Sequence, residues 1–93
     1  MSIRFVWDAR KAGTNARKHR VSFEEATTAF ADRLGCIFDD PGHSEDEPRE
    51  ILVATSSQRR LLVICFTERV GSVRIISARV ASPRERHAYQ ESH

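Results

Sequence analysis

Six consecutive apolar residues, Leu61-Leu62-Val63-Ile64-Cys65-Phe66, constrain this chain more than any other feature. Side chains of a strand alternate between two faces, so this run is apolar on both and belongs at the centre of a sheet. Glu50 to Ser56 and Ser72 to Val80 read as the strands before and after it, joined through turns at Gln58-Arg59 and Val70-Gly71. Gly35 to Asp39 is a further strand, broken by Pro41-Gly42, and Arg4 to Trp7 is a short first one.

The helical signals sit elsewhere in the chain. Asp8 caps a helix from Ala9 to His19 whose apolar stripe is Ala9, Ala12 and Ala16, with Lys11, Asn15 and Lys18 on the polar side and Arg10 and Arg17 on a neighbouring row. That face is either solvated surface or a lysine ladder along a nucleic-acid backbone. His19 closes the helix, where the dipole favours a cation. Ser22 opens a second helix, with Glu25 completing a capping box, Val21 as a staple, and Phe23 and Phe30 pointing into the core. Ser82, Pro83 and Glu85 open a third in the same way.

Strand, two helices, four strands and a last helix make an α+β fold: a helical hairpin on a mostly antiparallel sheet of four to five strands, with a short C-terminal helix. Ninety-three residues form one domain, 1–93. No apolar run approaches the roughly 20 residues of a membrane helix, and the N-terminus lacks a signal-peptide core, so the expected location is cytoplasmic. Cys36 and Cys65 lie in apolar runs and read as buried free thiols. Residues 39–50 hold six acidic side chains against Arg49; the other 81 residues carry 14 Lys and Arg against 7 Asp and Glu, a balance of +7. The basic remainder either serves a phosphate-rich partner or is a solubilising mixed surface. His43, Glu45, Asp46 and Glu47 are of metal-binding type but lack the spacing of a metal site, and no cofactor motif is present.

Around the junction of the last strand and helix, Arg74, Arg79, Arg84, Arg86 and His87 converge on a helix N-terminus, a plausible anion site. The residues that frame this junction form a familiar series. Phe5-Val6-Trp7-Asp8 with Lys11 and Asn15, Lys18-His19, Ser22-Phe23-Glu24-Glu25-Ala26, Phe30-Ala31-Asp32, Arg74-Ile75-Ile76-Ser77-Ala78-Arg79 and Glu85-Arg86 with Tyr89 follow in order along almost the whole chain. In this series the sequence resembles the BrnT family, the toxins of BrnT–BrnA type II toxin–antitoxin systems, whose fold is similar to the RelE toxins. The resemblance implies an endoribonuclease that halts growth by cutting RNA. Its partner would be a BrnA-like ribbon-helix-helix antitoxin that binds DNA, with operator DNA engaged only through the complex. One departure is Arg20, where the family carries glycine after Lys-His, a position that asks for a positive φ.

RNA cleavage without a metal needs a base at the 2′-hydroxyl, an acid at the leaving oxygen and cations on the phosphorane. Arg79 with Arg74 or Arg60 are the expected phosphate clamps, and Lys11, Lys18 and Arg86 the expected RNA-backbone contacts. Glu85, His19 and a lysine compete for the base, and Tyr89 stacks on a base or donates a proton. Arg74 and Arg79, five apart, point to opposite faces of a regular strand, so they share a site only across a bulge or a strand end; either can instead pair with Glu47 or Asp32. The competing expectation is a non-catalytic nucleic-acid-binding or protein-interaction module, for which the basic surface suffices.

Overall fold

A computed structural model describes residues 3–40 and 47–93; the expected exposure of the acidic loop, and the reading of His43, Glu45 and Asp46, lie outside the described residues. The elements are β1 (Arg4–Val6), α1 (Ala9–His19), α2 (Phe23–Ala29), β2 (Cys36–Asp39), β3 (Glu50–Thr55), β4 (Leu61–Arg69), β5 (Ser72–Val80) and α3 (Pro83–Glu91), in the order the sequence predicts. They form a five-stranded mixed sheet, ordered β1-β5-β4-β3-β2, in which only the β1–β5 pair is parallel. The apolar run in β4 is the central strand.

Alternation along β4 and β5 separates two apolar layers. Leu62, Ile64, Phe66, Val73, Ile75 and Ala78 join Val21, Phe23, Ala26 and Ala29 in the main core, on the face that α1 and α2 cover. Phe30 bridges Phe5 and Phe66 with ring centroids 5.0 and 5.2 Å away, and Trp7 meets Phe23 edge-on at 5.9 Å. The opposite face has a smaller cluster of Leu61, Val63 and Ala81 with Ile51, Val53 and Tyr89, where α3 lies. Cys36 pairs with Val53 and Cys65 with Ser77 on this thinly covered face, so the free thiols are half-buried, where the sequence suggested full burial.

Two helix expectations are corrected. In α1, Ala9 and Ala16 are exposed, while Asn15 is buried and Ala12 packs on the core. Three methyl groups offer little area, whereas the Asn15 amide makes three buried hydrogen bonds, and these set the roll of the helix. In α2, Ser22 Oγ accepts the Glu25 N–H at 3.0 Å, but the Glu25 carboxylate turns to Arg60 and Ser56, so that capping box is half made. At α3 both halves form, 3.2 Å from the Glu85 N–H to Ser82 Oγ and 2.8 Å from the Ser82 N–H to Glu85 Oε1.

Arg20 ends α1 in the left-handed region, φ 59° and ψ 33°, with its N–H bonded to the Ala16 carbonyl. The sequence position calls for this conformation and an arginine adopts it, at a cost of about 1 kcal/mol relative to glycine.

Candidate active site

The register between β4 and β5 slips once. Cys65 faces Ser77 but Phe66 faces Ile75, which leaves Ile76 as the extra residue of a bulge. Ile75 and Ala78, three apart, therefore both enter the main core, and Arg74 and Arg79, five apart, both lie on the other face, opposite Thr67 and Val63. The condition for the two arginines to share a surface is met.

Arg79 is held fork to fork by the first turn of α3: Nη1 donates to Glu85 Oε1 at 2.7 Å and Nη2 to Oε2 at 2.8 Å. The neighbouring guanidinium, helped by the Ser82 N–H, pulls the Glu85 carboxyl down to about 2, against the opposing effect of burial. A carboxylate that acidic is a weak proton acceptor, so the geometry suits Glu85 to orienting Arg79. Glu47, which the sequence offered as a partner for either arginine, is forked to Arg69 at 2.7 and 2.8 Å, with the charges of Arg74 and Arg49 also acting on it.

Beyond Val6, β1 ends, and among the described residues the rest of β5 has no neighbouring strand on that side. Asn15 fills the gap at Ala78, accepting its N–H at 3.1 Å and donating to its carbonyl at 2.8 Å, while its amide also donates to the Val21 carbonyl at 3.0 Å. Between α1 and this edge runs a groove lined by Arg10, Lys11, Lys18, His19, Ile76 and Ser77. Lys11, Lys18 and His19 are thus brought together, and Ser77, on the same face as Arg79 and two residues before it, links their groove to the arginine surface.

Arg60 and Arg86 stand apart from these, whereas Tyr89 lines one groove with Arg79 and Glu85. Arg60 is forked to Glu25, whose carboxyl it draws down, and donates to the Arg20 carbonyl at 3.0 Å, so it ties the end of α1 to the β3–β4 turn. Tyr89, on α3, packs against the smaller cluster and its hydroxyl reaches Asp32 at 3.4 Å and the Leu34 carbonyl at 3.3 Å; burial and the Asp32 charge push the phenol above its usual range, so it holds its proton more tightly. Arg86 is exposed on α3. Sequence reasoning placed Asn15 on the polar side and passed over Arg10 as a groove residue and Ser77 as the link. The signal for Asn15 was its spacing of three from Ala12, the alanine that does pack. Among the described residues no group of His, Cys, Asp and Glu side chains could hold a metal ion, and no helix is long and apolar enough to cross a membrane.

Residues 7–85 match the family model for the ribonuclease toxin BrnT of type II toxin–antitoxin systems. Comparison with curated proteins returned no match. The fold is similar to the 1.1 Å crystal structure of the Brucella abortus ribonuclease toxin BrnT, with a TM-score of 0.66 and 19% identity over 87% of this chain and 99% of that chain. At that identity the likeness speaks for the fold. The family model spans residues 7–85, most of the chain, and on that match the chain belongs to the BrnT family of ribonuclease toxins.

Proposed function

We propose that this chain is a metal-independent endoribonuclease that cleaves RNA, and so inhibits translation and growth, from the surface formed by β5 and α1. The observation that carries the reading is the bulge at Ile76, which returns Arg74 and Arg79 to one face beside the groove of Lys11, Lys18 and His19. Arg79, with Arg74, neutralises the scissile phosphate, since a planar guanidinium meets two phosphate oxygens at once. Lys11 and Lys18 guide the flanking backbone, and Arg86 extends the cationic surface. His19 takes the 2′-hydroxyl proton as the 2′-oxygen attacks phosphorus, and as the P–O5′ bond breaks the leaving 5′-oxygen takes a proton from the imidazolium or from solvent water; the low proton affinity of Glu85 leaves that carboxylate to hold Arg79 in place. Arg60 acts through Glu25 and Arg20 to hold the end of α1, and Tyr89 to seat α3.

The RelE-like arrangement, with a helical hairpin on one face of the sheet, belongs to the same reading, as does a single domain over 1–93. So do a cytoplasmic location and neutralisation by a BrnA-type DNA-binding antitoxin, through which alone operator DNA is engaged. The test is cleavage of RNA by the purified, antitoxin-free chain in the presence of EDTA. Activity lost on chelation overturns metal independence; RNA binding without cleavage, equal in wild type and Arg79→Ala, leaves a non-catalytic binding module.

A further inference from the structure

The sheet ends on β2, whose outer side is bonded to no strand among the described residues. An edge strand presents a row of main-chain N–H and C=O groups to any extended chain that reaches it, and proteins blunt such edges with lysine, proline or a covering loop. β2 reads Cys-Ile-Phe-Asp and has neither lysine nor proline. Instead, three of the five large apolar side chains that are exposed among the described residues gather here: Leu34 at 59%, Ile37 at 57% and Phe38 at 54%. Ile37 shares the face of Leu52 and Phe38 that of Ile51, so the edge is apolar on both sides. On the Phe38 side it opens into a groove of about 500 Å³ beneath α3, where Cys36, Ile51, Val53 and Val63 run towards Arg79 and Glu85.

We infer that β2 and this groove receive an extended segment of the protein antitoxin, which adds a sixth strand at β2 and, where it leaves that strand, crosses the groove to seat an apolar side chain beside Arg79. The inference rests on the toxin reading above, which requires a neutralising protein chain, and adds the place where it docks. Two features favour a polypeptide. The lining between Phe38 and Val63 is hydrocarbon and thiol, suited to a leucine or phenylalanine side chain, while the polar groups of Arg79, Glu85, Tyr89 and Ser92 stand elsewhere on its wall. Asp39 and Glu50 pair at the far end of the edge, two carboxylates that disfavour an RNA backbone and suit a basic residue of a peptide. A segment held by the β2 main chain that then leaves the strand and crosses the groove reaches Arg79 on β5, so one continuous contact gives affinity and covers the cleavage surface.

The experiment compares wild type with the double variant Ile37→Lys/Phe38→Lys, measuring RNA cleavage, binding of the purified BrnA-type antitoxin by calorimetry, and self-association by sedimentation. The expected result is unchanged cleavage, with antitoxin affinity weakened about 30-fold or more, the loss typical of a buried apolar anchor. Equal affinity for both proteins overturns the inference. So does a folded double variant that no longer cleaves RNA, which would give the groove to the substrate, or a wild-type dimer that the substitutions abolish, which would give the edge to a second copy. Should the double variant fail to fold, Cys65→Ser leaves Cys36 as the sole thiol, and its reaction with a maleimide must slow at least about tenfold in the antitoxin complex, as expected of a buried thiol; no protection overturns the inference. If wild type shows no cleavage, the calorimetric and labelling arms still decide the docking surface, so failure of the ribonuclease reading and failure of this one are distinguishable.

Discussion

Asn15 stands beside Ala78 in the place of a missing strand, accepting the Ala78 N–H at 3.1 Å and donating to its carbonyl at 2.8 Å, from a position sixty-three residues earlier in the chain. Its third bond, to the Val21 carbonyl at 3.0 Å, fastens the turn between α1 and α2 to the same point. Asn15→Ala is expected to cost roughly 2–4 kcal/mol in urea denaturation, since it strands buried main-chain groups that water reaches poorly. Asn15→Asp, which keeps the acceptor and loses both donor bonds, should recover only part of that. A loss below about 0.5 kcal/mol would mean that β5 keeps its register without the amide.

Arg79→Ala should lower the rate of RNA cleavage by about 100- to 1,000-fold, the typical effect of removing one charge-stabilising donor, while filter-bound RNA changes little. Arg79→Lys should restore only a small part of the rate, because a point charge cannot replace the fork. Gel-based cleavage under single-turnover conditions separates these outcomes.

His19→Gln and Glu85→Gln divide the acid–base assignment. Loss of a general base costs about 10²–10⁴ in rate, and that is the expectation for His19→Gln. Glu85→Gln should stay within about tenfold of wild type, with its effect traceable to a less well-held Arg79. The reverse ranking in single-turnover rates would return the base to Glu85.

Acid stability provides a separate check on the same carboxylate. Glu85 titrates near 2 in the fold, against an ordinary value of 4.5, chiefly because Arg79 bonds its charged form. A depressed carboxyl stabilises the fold above its unfolded value and loses that contribution as pH falls, here between about 4.5 and 2. Glu25 and Asp32 are depressed too, and lose their contributions in the same direction. The Glu85 side chain is 36% exposed, so solvent screening limits its share to at most about 1 kcal/mol. Thermal melts from pH 6 to pH 2 should fall less steeply for Glu85→Gln than for wild type.

Charge reversal at Lys11 and Lys18 should weaken RNA binding and flatten its salt dependence by about 0.7 in logarithmic slope for each phosphate no longer neutralised. Arg60→Ala, by contrast, should act on the fold. It leaves the Glu25 carboxylate, only 2% exposed, without its cation, at about 2 kcal/mol; that is below the cost for a fully buried pair because Arg60 itself is 32% exposed. A cleavage defect in Arg60→Ala at unchanged stability would place Arg60 among the phosphate clamps.

The sequence by itself determined the elements, because their signals are local. Asp8, Ser22 and Ser82 each cap a helix, Gly71 takes the positive φ of the β4–β5 turn, and the Leu61–Phe66 run is the central strand. Even Arg20, an unusual residue for its place, adopts the left-handed conformation the position predicts. The arrangement of charge was not legible in the same way. Arg79 chose Glu85 over Glu47 or Asp32, Glu25 left its own helix terminus for Arg60, and Asn15 exchanged solvent for the edge of β5. Each of those choices depends on which strand end stands within about 3 Å of which side chain, a distance set by the packing of the sheet and by one extra residue at Ile76. Periodicity assigns a side chain to a face; a bulge changes the face, and only the tertiary structure contains it.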